Sequence, residues 1–154
     1  MATSVHDGQD GTVNAEPEPL TALEDAVARV GDRWTLLVVN ALLDGPRRFN
    51  DLLDSLAGLA PNVLSKRLRQ LETTGLVVAT PYTQRPPRFD YRLTATGGEL
   101  ASALRLLAHW GASGDPDAVP IHHAACGTPV EARWYCPTCA RLVESEETDD
   151  LRFV

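Results

Sequence analysis

The ten residues WTLLVVNALL, from Trp34 to Leu43, are apolar except at Thr35 and Asn40 and lie between Asp32 and the pair Gly45-Pro46. An Asp just ahead of such a run accepts hydrogen bonds from the first free backbone N–H groups of a helix, and Gly-Pro cannot continue one. The run therefore predicts a helix that starts after Asp32 and stops before Gly45. Apolar nearly all round, it belongs at the centre of a core. It is far short of the roughly 20 residues that would cross a membrane, so the rest of the chain must wrap around it.

The flanking segments supply the wrapping. Leu20, Leu23, Val27 and Val30 recur at spacings of three and four, which gives a short helix one apolar stripe, ended by Gly31. After the Gly-Pro break, Arg47 to Phe49 can form a very short strand, and Asn50 can cap a helix DLLDSLAG that buries Leu52, Leu53 and Leu56 before Gly58. Pro61 suits the first turn of a further helix, in which Leu64, Leu68 and Leu71 form one stripe through to Gly75. Two β-rich runs follow, LVVATPYT (76–83) and RFDYRLT (88–94), joined by QRPP, an extended loop that makes them a hairpin with a basic tip. Thr94 or Thr96 then opens a long helix with Leu100, Leu104, Leu107 and Trp110 along one side. No internal repeat is evident along the chain.

This order reads as a mainly α fold with a small β-hairpin wing (α+β): a winged helix-turn-helix domain, with a small Cys/His appendage behind it. With 154 residues and 44% apolar content, the chain has material for one core. The expected division is a disordered N-terminal arm at 1–18, the winged helix-turn-helix domain at 19–114, a linker at 115–121, a zinc-ribbon-like unit at 122–143 and an acidic tail at 144–154. The start, MATSVHDGQDG, has neither a basic nor an apolar stretch, so no secretory signal is expected and the protein should be soluble and cytoplasmic.

A net charge of -7 seems to argue against a nucleic-acid partner, because such binding is dominated by neutralising phosphates. The charge is unevenly spread. Residues 31–93 carry nine Lys or Arg against six Asp or Glu, while 1–30 carry six acids and one Arg, and 94–154 nine acids and four Arg. The middle is basic and the acidity sits in the flanks.

The stretch GDRWTLLVVNALLDGPRRFNDLLDSLAGLAPNVLSKRLRQLETTGLV, followed by PPRFDYRLTATG and a helix ending in HWG, resembles the HxlR family of bacterial winged-helix transcriptional regulators. The likeness covers about residues 20–112 and combines a G-x-x-W-T start, a G-P-x-R-F-N turn, an L-S-x-R-L-x-x-L-E helix and a P-P-R-x-x-Y-x-L-T wing. The resemblance implies a homodimer that binds double-stranded operator DNA with inverted half-sites. It places helix 61–74 in the major groove, the wing near the minor groove, and the dimer contact at about 20–30 and 95–111. One departure is Ala60, where many members have a capping Ser. Members that sense oxidants use a cysteine near the N-terminus; here no cysteine precedes Cys126, so that mechanism is not carried over.

On a helical wheel, Asn62, Lys66, Arg69 and Thr73 oppose the leucine stripe. Residues near the start of a recognition helix reach base edges, so Asn62, Lys66 and Arg69 are the expected readers, with Ser65 beside them. Arg67 lies on the flank, where its stem can place the guanidinium on a phosphate or on an acidic neighbour. Arg85 and Arg88 on the wing are expected at the minor groove or a phosphate, and Arg47 and Arg48 at phosphates.

The three cysteines, Cys126, Cys136 and Cys139, cluster in IHHAACGTPVEARWYCPTCARLV. His123-x-x-Cys126 and Cys136-x-x-Cys139 together offer a Cys₃His set suited to structural Zn²⁺, with TPVEARWY as a hairpin joining the pairs and His122 as an alternative to His123. Cys136 and Cys139 could instead be a redox-responsive dithiol, or the ribbon a protein-contact module. No nucleophile and base are paired, and the C-x-x-C lacks the βαβ setting of a thiol oxidoreductase, so the chain is not read as an enzyme. Whether a small-molecule effector binds, near Trp34, Trp110 and the dimer seam, the residues leave open.

Overall fold

The computed structural model of the protein describes residues 21–115, 117–144 and 147. The expected arm at 1–18 and most of the acidic tail lie outside the described residues.

Helix α1 spans Ala22–Val30 and is capped by Thr21, whose hydroxyl accepts from the Glu24 N–H while the Glu24 carboxylate accepts from the Thr21 N–H. Helix α2, Arg33–Leu42, is the apolar run. Its cap is Asp32, as the sequence predicts, with the carboxylate accepting from the N–H groups of Trp34 and Thr35. Helix α3, Phe49–Ser55, starts two residues earlier than expected. Arg48 and not Asn50 is its cap residue, because the Asp51 carboxylate reaches back 3.1 Å to accept from the Arg48 N–H. Helix α4 spans Pro61–Thr73 and α5 spans Ala95–Ala112, the latter capped by Thr94, which accepts from the Gly97 N–H and donates to the Gly75 carbonyl.

Strand β1 is Arg47–Arg48, β2 is Val77–Gln84 and β3 is Pro87–Leu93. They form one antiparallel sheet in the order β1-β3-β2, with Val77 opposite Leu93, Gln84 opposite Pro87 and Arg47 opposite Tyr91. The pairing continues almost through QRPP, so the wing is longer and its tip narrower than a loop of four residues would make it.

The core is Val38, Val39 and Leu42 of α2 against Leu52, Leu59, Leu64, Leu68, Leu71, Leu76 and Val77. Burying each such side chain contributes about 1.5–3 kcal/mol. The leucine stripe of α4 is fully inside, which fixes the rotation of that helix and so decides which residues it presents outward. Two stripes behave differently. In α5, Leu100 and Leu104 pack on the core while Leu107 and Trp110 stay 51% and 77% exposed; α1 buries no residue, and Leu23 and Val27 are each 56% exposed.

Beyond α5 the chain forms two small hairpins. In the first, the Val130 N–H donates to the Ile121 carbonyl, and His122 bridges Pro129. The second contains β4 (Tyr135–Cys136) and β5 (Arg141–Leu142), closed by the Val143 N–H on the Trp134 carbonyl. Among the described residues, no helix is long and apolar enough to cross a membrane.

Candidate nucleic-acid interface and Cys/His unit

The buried edge of α4 leaves Asn62, Lys66, Arg69 and Thr73 on the open side, and all four are exposed. Thr73 spends its hydroxyl on the Arg69 carbonyl. Ser65 likewise donates to the Pro61 carbonyl at 2.9 Å, so its hydroxyl is engaged within the helix. Among the described residues, Lys66, Arg69, Arg85 and Arg88 form no ion pair with an acidic group. Their charge faces solvent.

Other predicted cations are committed within the fold. Arg67 Nε lies 2.7 Å from Asp32 Oδ2, and its guanidinium donates to Gln70 Oε1 at 3.0 Å. Of the two places foreseen for it, phosphate or acidic neighbour, it occupies the second. Arg47 donates from Nε to the Ala41 carbonyl at 2.7 Å and pairs with Asp44 at 3.4 Å, tying the short strand to the end of α2. Arg48 remains more open: it stacks over the Tyr82 ring at 4.5 Å and pairs with Asp90 at 3.4 Å while 58% of its side chain stays accessible. Arg85 and Arg88 are exposed near the wing tip.

Between α4 and the wing runs a groove lined by Ser65, Arg69, Glu72, Phe89 and Tyr91. A second groove beside it, lined by Arg48, Asn50, Tyr82, Arg88, Phe89 and Tyr91, opens between the start of α3 and the wing. Burial, and then the charge of Glu72, push the Tyr91 hydroxyl above its ordinary range, against the opposing effect of Arg69. The aromatic floor of Tyr82, Phe89 and Tyr91 was not singled out by the sequence. Its only signal is the alternation of aromatics in PYTQRPPRFDY, which a half-buried strand shows equally well.

In the Cys/His unit, His123 Nδ1 lies 3.4 Å from Cys126 Sγ. The hydroxyl and N–H of Thr128 both donate to the Cys126 sulfur and lower its pKa. Hydrogen bonds from Cys139, backbone and thiol, lower that of Cys136, with the Thr138 N–H and the charge of Arg141 adding to them, while Cys139 is raised by the bond it gives to Cys136. Arg141 in turn pairs with Glu147, whose carboxyl is held down at about 2, so the acidic tail is engaged at this residue. The structure brings His123 to Cys126 and Cys136 to Cys139. It does not bring the two pairs to one point: among the described residues, no group of three or more His, Cys, Asp or Glu is gathered as a metal-ion site. The reason lies in the spacer. TPVEARWY is not one hairpin, since its start folds back on 121–123 and its end pairs forward with 141–143.

A capped central helix, a turn, an outward basic helix and a two-stranded wing define a winged helix-turn-helix protein. The chain belongs to the HxlR-like helix-turn-helix family, whose model matches residues 29–117. It is 39% identical over 122 residues to an HTH-type transcriptional regulator of Mycobacterium tuberculosis, Rv3095, covering 77% of each chain. Among solved structures it is similar to PA1607, described as a candidate transcription factor, with a TM-score of 0.71, 29% identity and coverage of 85% of this chain and 94% of that one. It also resembles the reduced form of the Bacillus subtilis transcriptional regulator YodB, with a TM-score of 0.53, 26% identity and coverage of 63% and 95%. The chain is thus a transcriptional regulator and not an enzyme.

Proposed function

We propose that this regulator binds an operator with inverted half-sites as a homodimer, in the cytoplasm. Helix α4 enters the major groove with Asn62, Lys66 and Arg69 toward base edges, because Arg and Asn can each make paired hydrogen bonds there. Arg85 and Arg88 on the wing reach the minor groove or its phosphates, and Arg48 contacts the backbone between them. Arg67 and Arg47 have structural roles, and Ser65 adds little beyond contact. The observation that carries this reading is the row Asn62, Lys66, Arg69 on the exposed side of α4, next to a wing whose tip cations are free of acidic partners among the described residues.

The second chain is read from exposed apolar surface. Leu23 and Val27 of α1 and Leu106, Leu107 and Trp110 of α5 are 38–77% exposed, apolar surface that a lone chain would leave in water. A dimer built there carries two copies of α4, as an inverted repeat requires. Residues 122–143, joined through 115–121, are a separate unit outside this DNA-reading frame.

Selection of bound fragments from genomic DNA, followed by fluorescence anisotropy on the enriched site, tests the proposal. The expected result is a two-fold symmetric motif bound by two chains. A motif without symmetry, or an unchanged affinity and salt slope on replacing Lys66 and Arg69 together by Ala, would overturn it.

A further inference from the structure

The wing carries one residue too many on its first strand. In β2, Pro81 lies opposite Phe89 and Thr83 opposite Arg88, so Tyr82 has no partner on β3 and the register shifts there, as in a β-bulge. A bulge re-aims a side chain. Here the Tyr82 ring meets the Arg48 guanidinium, 4.5 Å from the ring centroid, although Arg48 belongs to β1 on the far side of β3. Directly opposite Arg48 on β3 is Asp90, whose Oδ1 accepts from Arg48 Nε at 3.4 Å. Arg48 therefore reaches across the middle strand. One residue from each of the three strands, Arg48, Asp90 and Tyr82, meets its neighbours over the sheet.

These contacts divide the guanidinium between them. Asp90 takes its Nε side and Tyr82 takes one face, while among the described residues neither terminal nitrogen has a hydrogen-bond partner. Two terminal nitrogens in one plane match two oxygens of a phosphate. A free arginine gives up rotamer freedom to make that contact; one already stacked and paired has less to lose. The backbone is fixed too, since the Asp51 carboxylate accepts from the Arg48 N–H at 3.1 Å. The open end reaches solvent, with 58% of the side chain accessible, and lines a groove together with Asn50, Arg88 and Phe89. Arg88 adds a second cation there that has no ion pair among the described residues. An exposed ion pair at 3.4 Å contributes little to stability. What the two contacts change is where the guanidinium points.

We propose that Tyr82 is a positioning residue for operator binding: its ring, with Asp90, holds the Arg48 guanidinium so that its terminal nitrogens take one DNA phosphate at the groove between α3 and the wing. This rests on the operator-binding reading above. A phosphate held there, between the helix in the major groove and the wing, fixes the register of the protein on the duplex without reading sequence. Tyr82 acts through Arg48 and does not itself touch DNA.

The test titrates the full chain into the operator duplex enriched from genomic DNA, by fluorescence anisotropy at several salt concentrations. Arg48→Ala should weaken binding at least about 10-fold, as loss of a charge-assisted hydrogen bond does, and reduce the salt slope by roughly 0.9 for each phosphate lost. Tyr82→Ala should weaken binding in the same way, with an unfolding midpoint close to wild type, while Tyr82→Phe keeps the ring and should bind as wild type. In a chain that already carries Arg48→Ala, adding Tyr82→Ala should change affinity by less than about 2-fold, because the two act as one unit. An undiminished loss from Tyr82→Ala in that background would make Tyr82 a DNA contact or a support of the wing, and would overturn the proposal. Tyr82→Ala binding as wild type, or Tyr82→Phe binding as weakly as Tyr82→Ala, overturns it as well. Lys66 and Arg69 replaced together by Ala separate this inference from the reading beneath it. If they lower the slope and Arg48→Ala does not, operator reading by α4 stands and the Arg48 site falls; if neither lowers it, both fall.

Discussion

Arg67 Nε sits 2.7 Å from Asp32 Oδ2, although the N–H is not aligned on the oxygen as a hydrogen bond. The same carboxylate caps α2 and accepts the hydroxyl of the fully buried Thr35 at 2.7 Å. Gln70, which takes a hydrogen bond from Arg67, donates to the Arg29 carbonyl at 3.4 Å. One acidic side chain thus links the start of the central helix to the flank of α4 and sets how α4 leans on α2.

Arg67 and Lys66 are neighbours with different work, and variants should separate them. Arg67→Ala loses a half-buried ion contact and should lower stability by about 1–2 kcal/mol in urea unfolding. Asp32→Ala loses the cap as well and should cost about 2–3 kcal/mol. Lys66→Ala should leave the unfolding midpoint within about 0.5 kcal/mol of wild type. Its effect belongs in the salt dependence of operator binding, where each lost phosphate contact reduces the slope by roughly 0.9. A lower slope in Arg67→Ala with unchanged stability would reverse the assignment.

Asp32 also predicts a pH effect. Burial raises its pKa, but the hydrogen bonds from Thr35 and Trp34 and the charge of Arg67 together outweigh that, and the folded value lies below the ordinary 3.8. The unfolded chain therefore binds more protons in this range, and stability rises with pH. The contribution of Asp32 is fully present above its unfolded pKa and is lost as pH falls through the lower folded value. Urea midpoints measured from about pH 6 down to about pH 3 should show wild type and Asp32→Asn converging at the acid end. A difference that stays constant would mean the carboxylate charge is not what stabilises.

Much of this was legible because periodicity and punctuation agree. The stripe Leu64, Leu68, Leu71 both predicted helix α4 and fixed its rotation, and so the exposed row followed from the same three residues. Asp32 was legible as a cap. Its second partner was not, because Arg67 is thirty-five positions away and a wheel only says that it stands on a flank. The internal partner of Arg47 was hidden for a similar reason: a basic residue in a turn gives no sign of the Ala41 carbonyl that lies beside it at the end of α2. The start of α3 was missed by two residues because Asn50 is the better cap by type, whereas Asp51 reaching back to Arg48 decided the matter. In the Cys/His unit the donor spacing was visible, but the way the spacer divides between two hairpins depends on backbone pairing that side-chain identity does not encode.

The pair Gly97-Gly98 offers a prediction about close approach. A Cβ on Gly97 would lie 2.1 Å from the Leu76 carbonyl oxygen, which is fixed because it accepts from the Thr94 N–H. Gly97→Ala must push α5 off the start of the wing and should cost more than about 2 kcal/mol, read in thermal unfolding. A Cβ on Gly98 meets nothing within 4 Å. Gly98→Ala should therefore be neutral or stabilise by up to about 1 kcal/mol, as expected of Ala for Gly within a helix. Equal effects of the two would mean that the contact with Leu76 is not rigid.

The last prediction concerns Trp110. It stands 77% exposed near the end of α5, one turn from Leu107 at 51%, on the same helix whose partly buried Leu100 and Leu104 pack against the core. In the homodimer proposed above, the outer half of this stripe meets the second chain as its inner half meets the core. Large aromatic side chains carry an outsized share of interface energy, and truncating one at a dimer centre costs at least about 2 kcal/mol. Trp110→Ala combined with Leu107→Asp should shift the protein to monomer in light scattering at micromolar concentration while its circular dichroism and unfolding in the monomeric regime stay as before. Operator affinity should fall at least about 30-fold, since a single half-site is then bound without its partner. An unchanged mass with both substitutions in place would move the dimer contact off α5 and leave the exposed tryptophan for another partner.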